Sequence, residues 1–438
     1  MKYLIKPLLI FFSLWFSAFN TANAKSALPI ERWQTKQGIP VVFYPAMEIP
    51  ILNISLAFRA GSAYDGQLFG LSALTTRLLN QGNDGLDADT LANQLAETGA
   101  QFATENNRDM IVLQLKTLTE KKAISKATAL FKRMLQQPDF PEAAFLREKK
   151  QQLMAIRQTL ERPDEVANQT FFRALYQAHP YAHPVNGDIK TIDAITHADI
   201  RHFHDTFFVK QNAMLVLVGA LSRKDAELLA ENMTQNIPTG KKAPQILNAK
   251  PLVEAMDIEV PFPSSQTVLR LGQLGINHHN PDYFPLLVGN YTLGGGALVS
   301  RLANELREKR GLTYGVHSQF VPMPERGPFI IGFSTKNAQA KDADNLTRDT
   351  LKAFIKTGPS NAELKAAKQY LVGSFPLAIA GNQNMAGILL KMAFYGLPDN
   401  YLDTYTNNIS SVSPKEVQLA FQKNVNPSRL LDVMVGKI

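Results

Sequence analysis

The sequence predicts an α+β protein built as two homologous domains, each a mostly antiparallel sheet with helices packed on one face. Three observations carry that expectation. The chain has 438 residues, too many for one core at roughly 100–200 residues per domain. Its hydrophobic content of 45% excludes a disordered or collagen-like chain. A helix followed by an apolar strand closes each half in the same pattern.

In the first copy, Thr196 opens a polar helical stretch, and an apolar strand then ends at Gly219. In the second, Ser413 opens the helix and the strand ends at Gly436. A shift of 217 residues places Gly219 on Gly436, Thr196 on Ser413 and Ile200 on Val417. Helix start, spacing and strand agree together, which marks an internal duplication. Ser413 with Glu416 fits a capping box, and Pro414 suits the first helical position. Strands are expected at 50–59, 110–115, 265–271 and 329–334. Helices are expected at 123–135, 141–160 and 360–372, the last opened by a Ser360–Glu363 capping box. Strands followed by several helices in each half suggest helices layered on a sheet. Pro238, Gly240 and Pro244 break the periodicity, so domains are expected at 25–237 and 252–438, joined by a linker at 238–251.

Residues 1–24 read as a signal peptide. Lys2 and Lys6 precede an apolar run at 8–19, and Ala22-Asn23-Ala24 supplies a small-x-small cleavage pattern. That run spans about 18 Å as a helix, short of a bilayer core of about 30 Å. The expected location is the periplasm, with no stable membrane insertion after cleavage. The absence of cysteine excludes a disulfide framework, a thiolate zinc site and a cysteine nucleophile. The formal charge of +8 falls to +6 without Lys2 and Lys6. It is spread along the chain, so no nucleic-acid partner is expected.

Several segments together resemble one family. Asn290-Tyr291-Thr292-Leu293-Gly294-Gly295-Gly296, Ser300-Arg301-Leu302 and the run from Leu306 to Tyr314 are similar to the C-terminal domain of the pitrilysin/insulinase zinc peptidases, the group that includes mitochondrial processing peptidase. Gly61-Ser62-Ala63-Tyr64-Asp65, Gly70-Leu71-Ser72, the stretch from Gly99 to Ala103, and His179-Pro180-Tyr181 resemble its N-terminal domain. The resemblance follows the family's order across nearly all of the chain beyond residue 24.

The family's chemistry requires H-x-x-E-H on a helix and a glutamate downstream: two histidines on one face bind zinc, and the first glutamate activates the metal-bound water. By the resemblance, those positions hold Ala73, Thr76 and Arg77, with Ala155 at the downstream glutamate. Alanine has no lone pair to offer. A threonine hydroxyl is no base near neutral pH, and Arg77 places a fixed positive charge where the cation belongs. Other histidines do not substitute. His179 and His183 are four apart but Pro180 and Pro184 oppose a helix; His202 and His204 diverge on one. Surface or loop positions are expected for the histidines, and no metal or other cofactor is expected in this chain.

What the resemblance retains is Arg307 and Tyr314, seven residues apart around Gly311. In the family such a pair reaches the zinc site from the C-terminal domain. Both side chains can donate to a substrate carbonyl, and more strongly to the oxyanion formed when water attacks. The alternative is that Arg307 pairs with Glu305 or Glu308 while Tyr314 begins a strand. Gly294, Gly295 and Gly296 form either a flexible loop that lets backbone approach a peptide or an ordinary turn. Gln101, Phe102, Ala103 and Thr104 resemble the family's edge strand, onto which an extended peptide adds; a covered strand is the alternative.

Some bacterial members resemble a pair in which one subunit carries zinc and the other the arginine–tyrosine motif. The resemblance therefore implies the non-zinc subunit of a periplasmic heterodimeric metallopeptidase, inactive alone. Its expected partners are a zinc-bearing homologous subunit and unfolded or short peptides. The rival expectation is a peptide-binding or scaffold protein with no proteolytic role, as the respiratory-complex core subunits of mitochondria suggest.

Overall fold

A computed structural model describes residues 28–437; the expected signal peptide lies outside the described residues. The first sheet contains β1 (Glu31–Gln34), β2 (Pro40–Pro45), β3 (Ile51–Phe58), β4 (Gln101–Asn106), β5 (Ile111–Leu118) and β6 (Ala213–Gly219) in the order β1-β2-β6-β3-β5-β4. The second contains β7 (Met256–Pro261), β8 (Gln266–Leu274), β9 (Val316–Phe320), β10 (Pro328–Lys336) and β11 (Leu431–Gly436) in the order β9-β10-β8-β11-β7. In each sheet the last strand runs parallel to the first of the shared set, with Val41 opposite Leu215 and Ile258 opposite Val433. Every other pairing is antiparallel. The two halves thus share one connectivity, and of the strands in these two sheets only β1 has no counterpart.

The expected caps are present. Thr196, Ser360 and Ser413 each close a capping box with the side chain three residues on, satisfying backbone N–H groups that would otherwise lack partners. Each half packs its own helices on one sheet face, as the patterning implied. In β6, Leu215 and Leu217 meet those helices while Val216 and Val218 face the other way. A strand buried on both sides reads as a continuous apolar run rather than an alternation.

The opposite face of each sheet is filled by the other half. Helix Asn382–Tyr395 lays Met385, Leu389 and Leu390 against Val42, Ala57 and Val216 of the first sheet. Helix Pro163–Tyr176 lays Ala167, Phe171 and Leu175 against Val268, Ile330 and Val433 of the second. Polar bonds secure the exchange. Arg59 Nη2 donates to Phe394 O at 3.0 Å, and Tyr395 OH to Asp109 Oδ2 at 3.0 Å. Arg270 Nε donates to Asn168 Oδ1 at 2.7 Å. Each buried Leu or Phe contributes about 1.5–3 kcal/mol, so separating the halves strips both sheets at once. No helix of the described residues is long and apolar enough to cross a membrane.

Candidate functional site

Helix Leu71–Leu78 carries the degenerate positions. Its first turn is held by Asp65, whose carboxylate accepts from Gly70 N at 2.7 Å and Ser72 N at 2.8 Å. Burial pushes that carboxyl up to about 7 against the pull of the two N–H donors. Gly70 has φ +91°, and a Cβ there would lie 2.6 Å from Asn186 O, so the helix start tolerates only glycine.

Ala73 and Thr76 are buried, and the Thr76 hydroxyl donates back to Ser72 O at 2.7 Å. Arg77 points outward, with Nη1 3.9 Å from Glu148 Oε2. Arg147 Nε stands 3.5 Å from the other Glu148 oxygen. Ala155 lies on the same helix as Glu148, Glu142–Leu160. Zinc does not fit these residues: one position has no donor atom, one hydroxyl is committed to backbone, and the third is a guanidinium. Glu148 is the functional-site neighbour that the motif comparison missed. Its one faint sign in the sequence is spacing, since it sits seven residues before Ala155, two turns along one face. Gln152, between them, is buried and donates to Gly70 O at 3.2 Å and Asn186 O at 2.9 Å.

The histidines divide differently from expectation. His204 is buried on helix His197–Phe207, stacked on Phe208 with centroids 4.8 Å apart. His183 lies in a loop but is buried too, stacked on Phe69 at 4.2 Å. Burial pushes both below the usual imidazole pKa. Ring packing accounts for both; His183 keeps the expected loop position, whereas His204, buried on a helix, departs from the expectation.

Arg307 and Tyr314 come together. Arg307 lies on the π-helical segment Ala303–Glu308, and the chain turns back through Gly311 at φ +60°. Its guanidinium carbon stands 5.3 Å from the centroid of the Tyr314 ring, within cation–π range. Arg307 Nε is also 3.6 Å from Glu308 Oε1, whereas Glu305 is held by Lys309 and Arg310 at 2.6 and 2.7 Å. The Glu308 contact therefore exists alongside the tyrosine contact. Tyr314 precedes β9 rather than forming part of it and is 91% exposed. Its hydroxyl makes no hydrogen bond to the described residues.

Gly294, Gly295 and Gly296 do not form a flexible loop. Gly294 and Gly295 continue a helix as the π turn Tyr291–Gly295, and Gly296 caps it. A Cβ on Gly294 would stand 2.5 Å from Ser318 Oγ and 2.8 Å from Ser318 N. Asn290 fastens the same strand, donating through Nδ2 to Ser318 O at 2.9 Å. Close helix–strand approach explains the glycine there. Gly294→Ala should lower stability by about 1–3 kcal/mol through overpacking, read as a reduced urea midpoint; an unchanged midpoint would show that the packing is slack.

Gln101, Ala103 and Thr104 are exposed on β4, the outermost strand of the first sheet. Phe102 turns inward and meets Phe131 edge-on at 6.0 Å. No strand covers β4 among the described residues, and its far end reaches helix Leu71–Leu78 through Asn106 Nδ2, which donates to Ser72 Oγ at 3.0 Å.

Comparison with known proteins gives this arrangement a lineage. Residues 44–188 match the family model "Insulinase (Peptidase family M16)", and residues 194–371 match "Peptidase M16 inactive domain". The crystal structure of a peptidase M16 inactive domain from Pseudomonas fluorescens superposes with TM-score 0.91 and 36% identity, over 94% of this chain and 98% of that one. A protease from Helicobacter pylori shares the fold, with TM-score 0.85 and 19% identity over 93% of this chain and 99% of that one. Among curated sequences, the non-peptidase homolog YmxG of Helicobacter pylori is 27% identical over 86% of this chain and 87% of its own length. The uncharacterized zinc protease YmxG of Bacillus subtilis is 21% identical over 89% and 94%. The chain belongs to the M16 insulinase family of peptidases.

Proposed function

We propose that this protein is the non-zinc subunit of a periplasmic heterodimeric metallopeptidase, exported through a signal peptide at residues 1–24. The observation that carries the reading is the contrast between its two halves. The first half has Ala73, Thr76 and Arg77 where the family's metal chemistry would stand. The second keeps Arg307 and Tyr314 in contact, with the phenol facing solvent. Donors of this kind stabilise an oxyanion only where a nucleophile attacks, so the zinc and its activated water belong to a homologous partner. The open edge of β4 supports an extended, unfolded or short peptide as substrate, added as a further strand.

The test is reconstitution. The purified chain should bind no stoichiometric zinc and cleave no peptide, and addition of its zinc-bearing partner should produce hydrolysis that neither subunit matches alone. Tightly bound metal with unaided hydrolysis would overturn the proposal. A stable self-dimer that ignores every H-x-x-E-H homologue would favour the scaffold reading instead.

A further inference from the structure

A cavity of about 560 Å³ opens between the two halves, lined in part by Arg108, Thr159, Asn168, Phe172 and Gln319. It begins one helical turn beyond Ala155, where Thr159 Oγ1 donates to Ala155 O at 2.9 Å. Its far wall is the second sheet, where Gln319 of β9 pairs with Ile330 of β10. The cavity therefore adjoins the degenerate helix pair on one side and an edge strand of the other half on the other.

Arg108 follows β4 in the turn to β5 and is only partly satisfied. Nε donates to Tyr181 O at 3.1 Å and Nη2 to His183 O at 3.5 Å, while the guanidinium lies 4.1 Å over the Phe172 ring. A guanidinium has five N–H donors, and it makes no ion pair with the described residues. The adjacent Asp109 is engaged by the hydroxyls of Tyr181 at 2.7 Å and Tyr395 at 3.0 Å. Asn168 adds donors beside it, because its Oδ1 accepts from Arg270 and its Nδ2 is left over. Both residues line the cavity, so their remaining N–H groups are open to a ligand's acceptors. Ile156, Phe172 and Ile330 add apolar wall, and the volume falls in the range of about 300–1,000 Å³ typical of small-ligand sites, more than a bare inorganic anion fills.

We propose that this cavity holds the C-terminal carboxylate of a short peptide, with Arg108 and Asn168 donating to its oxygens. A planar guanidinium matches a carboxylate in two parallel bonds. The proposal rests on the peptide-handling reading above and gives that reading a direction, since an anchored carboxylate would fix which way the peptide runs from the Ala155 position.

The experiment is calorimetry on isolated chain 25–438, with the tetrapeptide Ala-Ala-Ala-Phe as free acid, the same peptide as its C-terminal amide, and inorganic phosphate. The free acid should bind about tenfold or more tightly than the amide, and equimolar phosphate should not displace it. Arg108→Lys should weaken the free acid about tenfold by removing the paired geometry. Thr159→Trp, which leaves the bonds of Arg108 intact and fills the cavity, should abolish binding. Equal affinity for acid and amide, no binding of the acid at millimolar concentration, displacement by equimolar phosphate, or unchanged binding by Thr159→Trp would each overturn the proposal. Binding is read without partner or hydrolysis, so failure here is distinguishable from failure of reconstitution.

Discussion

Tyr314→Phe is expected to lower turnover of the reconstituted complex by about 10- to 1000-fold, equivalent to about 1.4–4 kcal/mol of transition-state stabilisation. Tyr314 is 91% exposed, so loss of the hydroxyl removes no packing and no internal hydrogen bond. The urea midpoint of the isolated chain should stay where it is. That separates a chemical role from a structural one, because a residue that merely supports the fold would move both quantities. Arg307→Lys should fall between wild type and Tyr314→Phe: the charge persists but the planar donor set over the phenol is lost. The effect should appear in kcat more than in KM, since the developing oxyanion exists only after attack. Unchanged kcat in Tyr314→Phe would remove the hydroxyl from the chemistry, and Arg307 would then be read as a surface ion pair with Glu308.

Much of the architecture was legible in the residues because local rules suffice for it. Period-2 alternation located β3, and capping boxes at Ser360 and Ser413 located helix starts, because these signals are built from neighbours in sequence. The repeat between Gly219 and Gly436 announced two equivalent sheets. The exchange of helices was not legible. Phe171 and Leu175 mark an apolar face on their helix, but an apolar face does not state which sheet it covers, and the nearer sheet in sequence is the wrong one. The site shows the same division. Arg307 and Tyr314 stood out through the family resemblance, and the structure brings them into contact. Gly294 signalled close approach or a turn, and only the position of Ser318 decides between them. Glu148 gave little sign, because a carboxylate on a mostly polar helix reads as solvated unless its buried face is known.

The exchanged helices make a second large effect measurable. Phe171 is 0% exposed, and its ring rests against Gly272, where a Cβ would lie 2.9 Å from Phe171 Cζ and 2.1 Å from Phe329 O. Gly272 leaves a socket in the second sheet that a residue of the first half fills. Phe171→Ala should therefore cost about 3–5 kcal/mol, the range for emptying a phenylalanine site that cannot collapse. The backbone of β8 and β10 prevents closure of the gap from below. The fluorescence reporter lies far from the change in the chain. In residues 25–438 the only tryptophan is Trp33, on β1 of the first sheet beneath the guanidinium of Arg223, 3.8 Å from its ring. If the halves form one cooperative unit, urea unfolding followed by Trp33 fluorescence should shift by the same amount as unfolding followed by circular dichroism. Independent halves would leave the Trp33 midpoint in place while part of the helical signal melts early. A coincident shift would mean that the two halves unfold as one cooperative unit, each holding the other's sheet closed.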